Sequence, residues 1–179
     1  GIYASVLAST SKVKMEDVKS NFNIFDGIRL TLDGSELTMD DMEASYNGND
    51  GINLRAPTSA TSAPLSTSAA KVILQGANSV IQNKADGFRG GRMDVVVSRG
   101  ATLNAYNNTR YGVRMAASSS FTVKKGGKVN SCSSGDSDIY QGGPTGSNAF
   151  FPISGKHYTC DSVKDDDEFE CENECPVCL

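Results

Sequence analysis

Apolar residues along this chain alternate with polar ones in short bursts, the period of an extended strand with one face buried. One set runs Ile28, Leu30 and Leu32, then Leu37 and Met39, then Met42 and Ala44. A second places Val95 and Val97 ahead of Leu103 and Ala105. A third has Val113 and Met115, Phe121 and Val123, and Val129 before Ser131. The opening residues follow suit, with Ile2, Ala4 and Val6 before Val13, Met15 and Val18. No stretch keeps helical periodicity for more than a few turns, so the pattern predicts an all-β chain.

Each group opens on a glycine followed by an apolar residue: Gly1-Ile2, Gly27-Ile28, Gly51-Ile52, Gly87-Phe88 and Gly112-Val113, with Asp138-Ile139 as a degenerate sixth copy. Where nothing is inserted the copies are spaced roughly 24 to 26 residues apart, within the range of stacked repeats. Four positions before each later glycine stands an asparagine: Asn23, Asn47, Asn83 and Asn108. Three short strands per copy, punctuated by Gly76, Gly100 and Gly126-Gly127, cannot make a stable sheet alone. Stacked copies pair each strand with its equivalent about 4.8 Å above and below, as parallel sheets around a narrow apolar core. The four asparagines then pile into a ladder whose amides bond to each other and to turn backbone.

This arrangement resembles the right-handed parallel β-helix of the pectin-lyase-like superfamily, where an asparagine ladder at a turn is familiar. The resemblance is one of architecture and covers about residues 1 to 140. The expected fold is a right-handed parallel β-helix of about six coils over residues 1–149, followed by a C-terminal cap and Cys-rich acidic tail over 150–179. A β-sandwich with glycine turns is the competing all-β arrangement.

Local chemistry refines this picture. Residues 56–68, rich in Pro, Ser and Thr, lengthen the third coil and read as an inserted surface loop, O-glycosylated or plain. The turn Asn47-Gly48-Asn49-Asp50-Gly51 has the oxygen-rich look of a calcium loop but lacks the later bidentate carboxylate, and an Asn-Gly turn explains it. Asn107-Asn108-Thr109 makes Asn107 an acceptor for N-glycosylation in a secreted chain. Gly1 opens directly on a coil, so another chain or an upstream segment is expected to cover that end.

The 179 residues carry a net charge of only −4, unevenly spread. Lys84, Arg89, Arg92, Arg99, Arg110, Arg114, Lys124, Lys125 and Lys128 make the middle basic, and the tail beyond Asp161 is acidic. Few aromatics interleave with the basic residues and the overall sign is negative, which argues against nucleic acid. No apolar run approaches a bilayer span, and none of these residues reads as a signal peptide. Cys160, Cys171, Cys175 and Cys178 lie among tail carboxylates, with Cys132 in the fifth coil. As a zinc site they offer one acceptable pair, Cys175-x2-Cys178; as disulfides they staple an acidic segment in an oxidising compartment, with one thiol left over. Disulfides are the expected reading, with no metal and no cofactor.

For function, the superfamily resemblance brings polysaccharide lyases and glycoside hydrolases to mind, but two placed carboxyl groups are needed. The one histidine, His157, lies in the tail, and Asp86 and Asp94 flanking Arg89 and Arg92 read as surface charge. Enzymatic action is therefore the minor alternative. The first expectation is a non-enzymatic extracellular structural protein, secreted or at a cell surface, self-associating end to end or laterally into a homo-oligomer or filament. The alternative is a carbohydrate-binding or adhesive module holding an anionic polysaccharide through Arg89, Arg92 and Arg99. Regular Thr-x-Thr rows of an ice-binding face are not apparent.

Overall fold

The computed structural model of the protein describes residues 1–6, 11–57, 69–116, 119–132, 134–141 and 156–160. Its first coil holds β1 (Ile2–Val6) and β2 (Lys12–Glu16), its second β3 (Ile28–Leu32) and β4 (Glu36–Asp40). The third adds a strand: β5 (Ile52–Arg55), β6 (Ala70–Gln75) and β7 (Ala77–Ser79). The fourth holds β8 (Phe88–Gly90), β9 (Met93–Val97) and β10 (Thr102–Tyr106). The fifth holds β11 (Tyr111–Met115), β12 (Ser120–Val123) and β13 (Lys128–Cys132); β14 (Ser137–Gln141) and β15 (Lys156–Cys160) follow.

These strands form three parallel sheets, and the chain is an all-β parallel solenoid with no helix among the described residues. Sheet A runs β1-β3-β5-β8-β11-β14, sheet B runs β2-β4-β6-β9-β12, and sheet C runs β7-β10-β13-β15. The solenoid makes about five turns rather than the six counted from the repeat. Beyond the fifth, the described residues include one strand in sheet A and one in sheet C, but none in sheet B. β15, past residue 149, continues sheet C against β13.

Register explains the repeat. Ile2, Ile28, Ile52, Phe88, Val113 and Ile139 are successive Cα partners down sheet A. Val13, Leu37, Val72, Val95 and Phe121 form the matching column in sheet B. Both point into one apolar core, where Phe88 and Phe121 meet edge to face at 6.5 Å. Where Gly90 leaves a gap, Met115 from the next coil fills it: an added Cβ would lie 2.7 Å from the Met115 Cε.

The repeat pattern predicts a third strand in the second coil at Met42 and Ala44, and here the structure differs. Both side chains are buried, yet the segment makes only the isolated bridges Lys19 to Glu43 and Glu43 to Ser79. Asp41 and Tyr46 both take positive φ, which leaves too few extended residues between them for a ladder. In the third coil the corresponding pair, Gly76 and Gln82, stands one residue further apart, and β7 forms.

Candidate functional site: a guanidinium row over buried carboxylates

The corner leading into sheet A carries the asparagine ladder. Asn23 Nδ2 donates to Asn47 Oδ1 at 2.9 Å, Asn47 Nδ2 to Asn83 Oδ1 at 3.0 Å, and Asn83 Nδ2 to Asn108 Oδ1 at 3.1 Å. The backbone N–H of each of the first three donates to the same acceptor at 3.0 Å. Immediately before each ladder residue stands a residue with positive φ: Phe22 (58°), Tyr46 (59°), Gln82 (54°) and Asn107 (53°). That left-handed step turns the chain so that the next amide points inward, at a conformational cost for any residue but glycine.

A few residues on, the same corner builds a second column. Asp26, Asp50 and Asp86 each precede a coil glycine, and all three are buried. Asp26 Oδ1 accepts the Asp50 N–H at 3.2 Å, and Asp50 Oδ1 accepts the Asp86 N–H at 3.1 Å. The column ends at Asp86 because Tyr111 takes the aspartate's place in the next coil. Asp86 Oδ1 has no hydrogen-bond partner among the described residues.

Three residues beyond each aspartate, the outward face of sheet A presents a polar row. Tyr3, Arg29, Asn53, Arg89, Arg114 and Tyr140 are successive register partners, one per coil. Three of them lean back onto the carboxylate of the preceding coil. Asn53 Nδ2 donates to Asp26 Oδ2 at 3.2 Å, Arg89 Nη1 lies 3.6 Å from Asp50 Oδ2, and Arg114 Nη1 lies 3.4 Å from Asp86 Oδ2. Asn53 also donates to Asp50 Oδ2 at 2.6 Å and accepts from Arg55 Nε at 2.9 Å. At the far end Tyr111 and Tyr140 stack at 4.6 Å, with the Arg114 guanidinium 5.3 and 5.6 Å from their ring centres. Arg110 sits 5.3 Å from the Tyr111 ring and 3.6 Å from Asp136.

The electrostatics follow from burial. Desolvation raises the Asp50 carboxyl above the ordinary aspartate range; the neighbouring Asp86 charge adds to the rise, while the Asp86 N–H and Arg89 oppose it. Asp86 is likewise raised by burial, against the pull of Arg114, Arg110 and Arg89. The Arg55 guanidinium is lowered, first by desolvation and then by Arg29 and Arg89. Four guanidiniums, of Arg29, Arg55, Arg89 and Arg114, thus face outward over three enclosed carboxylates, and the face is cationic, with Arg110 paired to Asp136 at the corner beside it.

The other residues singled out by sequence are placed as follows. Arg89 belongs to the row, Arg92 occupies the turn between β8 and β9 with φ of 55°, and Arg99 lies exposed in the turn between β9 and β10. The three therefore surround one coil instead of lining one face. Asp94 is on sheet B, accepting a hydrogen bond from Ser120, and does not join Asp86. In the Asn47–Gly51 turn, Asn47 and Asp50 serve the two ladders, and Asn49 donates to Asp26 Oδ1. Asn107 is exposed beside the buried Asn108. Cys132 is fully buried and in register with Cys160, and His157 pairs with Val129. Cys171, Cys175, Cys178 and most of the 56–68 loop lie outside the described residues. The aspartate column had a signal in the sequence, an aspartate directly before three of the coil glycines.

Fold and site together define a parallel β-solenoid with a cationic, aromatic-ended sheet face. No family model matches this chain, and searches of curated proteins and of solved structures find no match.

Proposed function

We propose that this protein is a non-enzymatic extracellular module, secreted or displayed at a cell surface, that holds an anionic polysaccharide along sheet A. The observation that carries the reading is the in-register row of Arg29, Arg89 and Arg114, framed by tyrosines. A coil rises about 4.8 Å, so Arg89 and Arg114 stand one coil apart and Arg29 and Arg89 two coils apart, with Asn53 between them. Guanidiniums bind carboxylate or sulfate in a planar fork, and Tyr111 with Tyr140 offers ring faces for stacking. Enclosure of Asp50 and Asp86, 1% and 0% exposed, favours binding over catalysis, since a general acid must reach its substrate.

The test is salt elution from immobilised carboxylated and sulfated polysaccharides. Replacing both Arg89 and Arg114 by Gln is expected to weaken retention by roughly tenfold per residue. Equivalent loss from Arg92→Gln and Arg99→Gln, with the row variants unaffected, would move the site to the coil corners.

A structural role in a surface or matrix assembly is the second reading, supported by the exposed corner cluster of Phe22, Ile24, Phe25 and Tyr46. Phe22 and Tyr46 stack at 5.0 Å. The same reading takes the coils as right-handed, the hand of nearly all parallel crossovers, and in keeping with a pectin-lyase-like relationship. It also places a glycan on exposed Asn107 and a disulfide between Cys132 and Cys160. Register partners on neighbouring strands have Cα atoms about 4.8 Å apart, inside the roughly 4.4 to 6.8 Å that a disulfide spans. Peptide mapping without reductant tests the pairing; a Cys132 peptide that alkylates as a free thiol rejects it.

A further inference from the structure

Sheet B presents a different surface. Its outward side carries Lys12, Glu36, Lys71 and Asp94 as successive register partners, one per coil. The column reads plus, minus, plus, minus. Within the chain Glu36 pairs with Lys12 at 3.4 Å and with Lys71 at 3.3 Å, and Asp94 accepts from Ser120. The lysine side chains remain 81% and 49% exposed, so their charges stay available to a partner. Beside it runs a second column, Lys14, Thr38, Ile73, Val96 and Thr122, in which the last four are short, β-branched and half-buried. A third column holds Glu16, Asp40 and Gln75, with Lys14 bonded to Asp40 at 3.3 Å.

An alternating column of four has a property that a uniform one lacks: read backwards, it is its own complement. We infer that sheet B is a self-association surface on which a second copy of this chain docks face to face, related by a two-fold axis along the strands between the second and third coils. Under that axis each column faces itself with coil order reversed. Lys12 then meets Asp94 of the partner subunit, and Glu36 meets Lys71 of the partner subunit. In the second column Thr38 opposes Ile73 of the partner subunit, giving a β-branched centre, and at its two ends Lys14, held by Asp40 of its own chain, opposes Val96 of the partner subunit. In the third, Asp40 opposes Gln75 of the partner subunit. No like charges meet. The other two-fold, parallel to the solenoid axis, sets Lys12 against Glu16 of the partner subunit but Glu36 against Asp40 of the partner subunit, so its attraction and repulsion cancel where the first axis has attraction alone.

This surface lies on a different sheet from the guanidinium row, so its occupation is separable from polymer binding. Because exposed ion pairs dominate it, the dimer is weak and salt-sensitive. The experiment is sedimentation velocity on the full chain across a concentration series at low salt, with circular dichroism checking that each variant is folded. Glu36→Lys alone and Lys71→Glu alone each place like charges together twice in the dimer, and are expected to raise its dissociation constant at least roughly tenfold. The double variant E36K/K71E restores opposite charges at both positions and is expected to recover dimerisation. It also keeps the natural net charge, so its retention on the polysaccharide column is expected to match that of the natural chain. A monomer at every concentration, or a dimer indifferent to the single reversals, overturns the inference. Lost polymer binding by the Arg89 and Arg114 variants with dimerisation intact leaves it standing.

Discussion

The Asn47 side chain stands directly over Gly27 of the preceding coil, and a Cβ on that glycine would lie 2.5 Å from Asn47 Nδ2. It would also lie 2.8 Å from the carbonyl oxygens of Gly51 and Ser20. Asn83 over Gly51 and Asn108 over Gly87 repeat the arrangement at 2.6 and 2.5 Å. The fixed offset between glycine and asparagine is therefore a packing relationship between coils: the amide of one coil occupies the space that a side chain would take in the coil before it.

Gly27→Ala is expected to destabilise the protein by at least about 2 kcal/mol, because two of the three close neighbours are backbone and cannot swing away. Urea unfolding measures it. An alanine tolerated without loss would mean that the ladder yields more than its hydrogen bonds suggest.

Asn83 is a buried rung bonded on both sides. It accepts from the Asn47 N–H and Nδ2, and donates to Asn108 Oδ1 and the Ala44 carbonyl. Asn83→Ala is expected to cost about 2 to 4 kcal/mol, since it strands buried donors and acceptors together. Asn83→Asp, nearly the same shape, is expected to fare no better: it has no N–H to donate and sets oxygen against oxygen. Equal stability for the Asp variant at neutral pH would show that shape, not amide bonding, holds the column.

Gln82 carries a bulky side chain at φ of 54° with its side chain exposed. Replacing it by glycine relieves the left-handed penalty, and Gln82→Gly is expected to raise stability by about 1 kcal/mol. Thermal unfolding supplies the readout, with a fall in midpoint as the contrary result.

Burial raises both Asp50 and Asp86 above the ordinary aspartate value of 3.8, so each binds its proton more tightly folded than unfolded. The stabilisation from protonating them is complete below that value and is lost as pH climbs through the raised folded values. Stability measured from about pH 3 to about pH 7 is therefore expected to decline across that interval in the natural chain more than in an Asp50→Asn, Asp86→Asn variant. Identical pH slopes for the two proteins would count against it.

By itself the sequence determined the architecture. Alternation with a period of two demands strands with one buried face, and Gly27, Gly51, Gly87 and Gly112 with Asn23, Asn47, Asn83 and Asn108 at one offset demand that coils lie over one another. Those signals are legible because core packing and the ladder recur identically in every coil. The guanidinium row was less legible. Arg89, Arg92 and Arg99 are neighbours in the chain but lie on different sides of one coil, whereas Arg29, Arg89 and Arg114 share a face across long separations.

Only the tertiary structure decided which polar side chains meet, and the reason is physical. A residue's neighbours in a solenoid belong to the next coil, and the lateral position of each strand is set by turns at Asp41, Tyr46, Gln82 and Arg92 that adopt positive φ without glycine to announce them. Hydrophobic periodicity constrains the inward half of each strand. The outward half, where the buried aspartates anchor arginines and where Glu36 lies between Lys12 and Lys71, depends on register across insertions that no local pattern encodes.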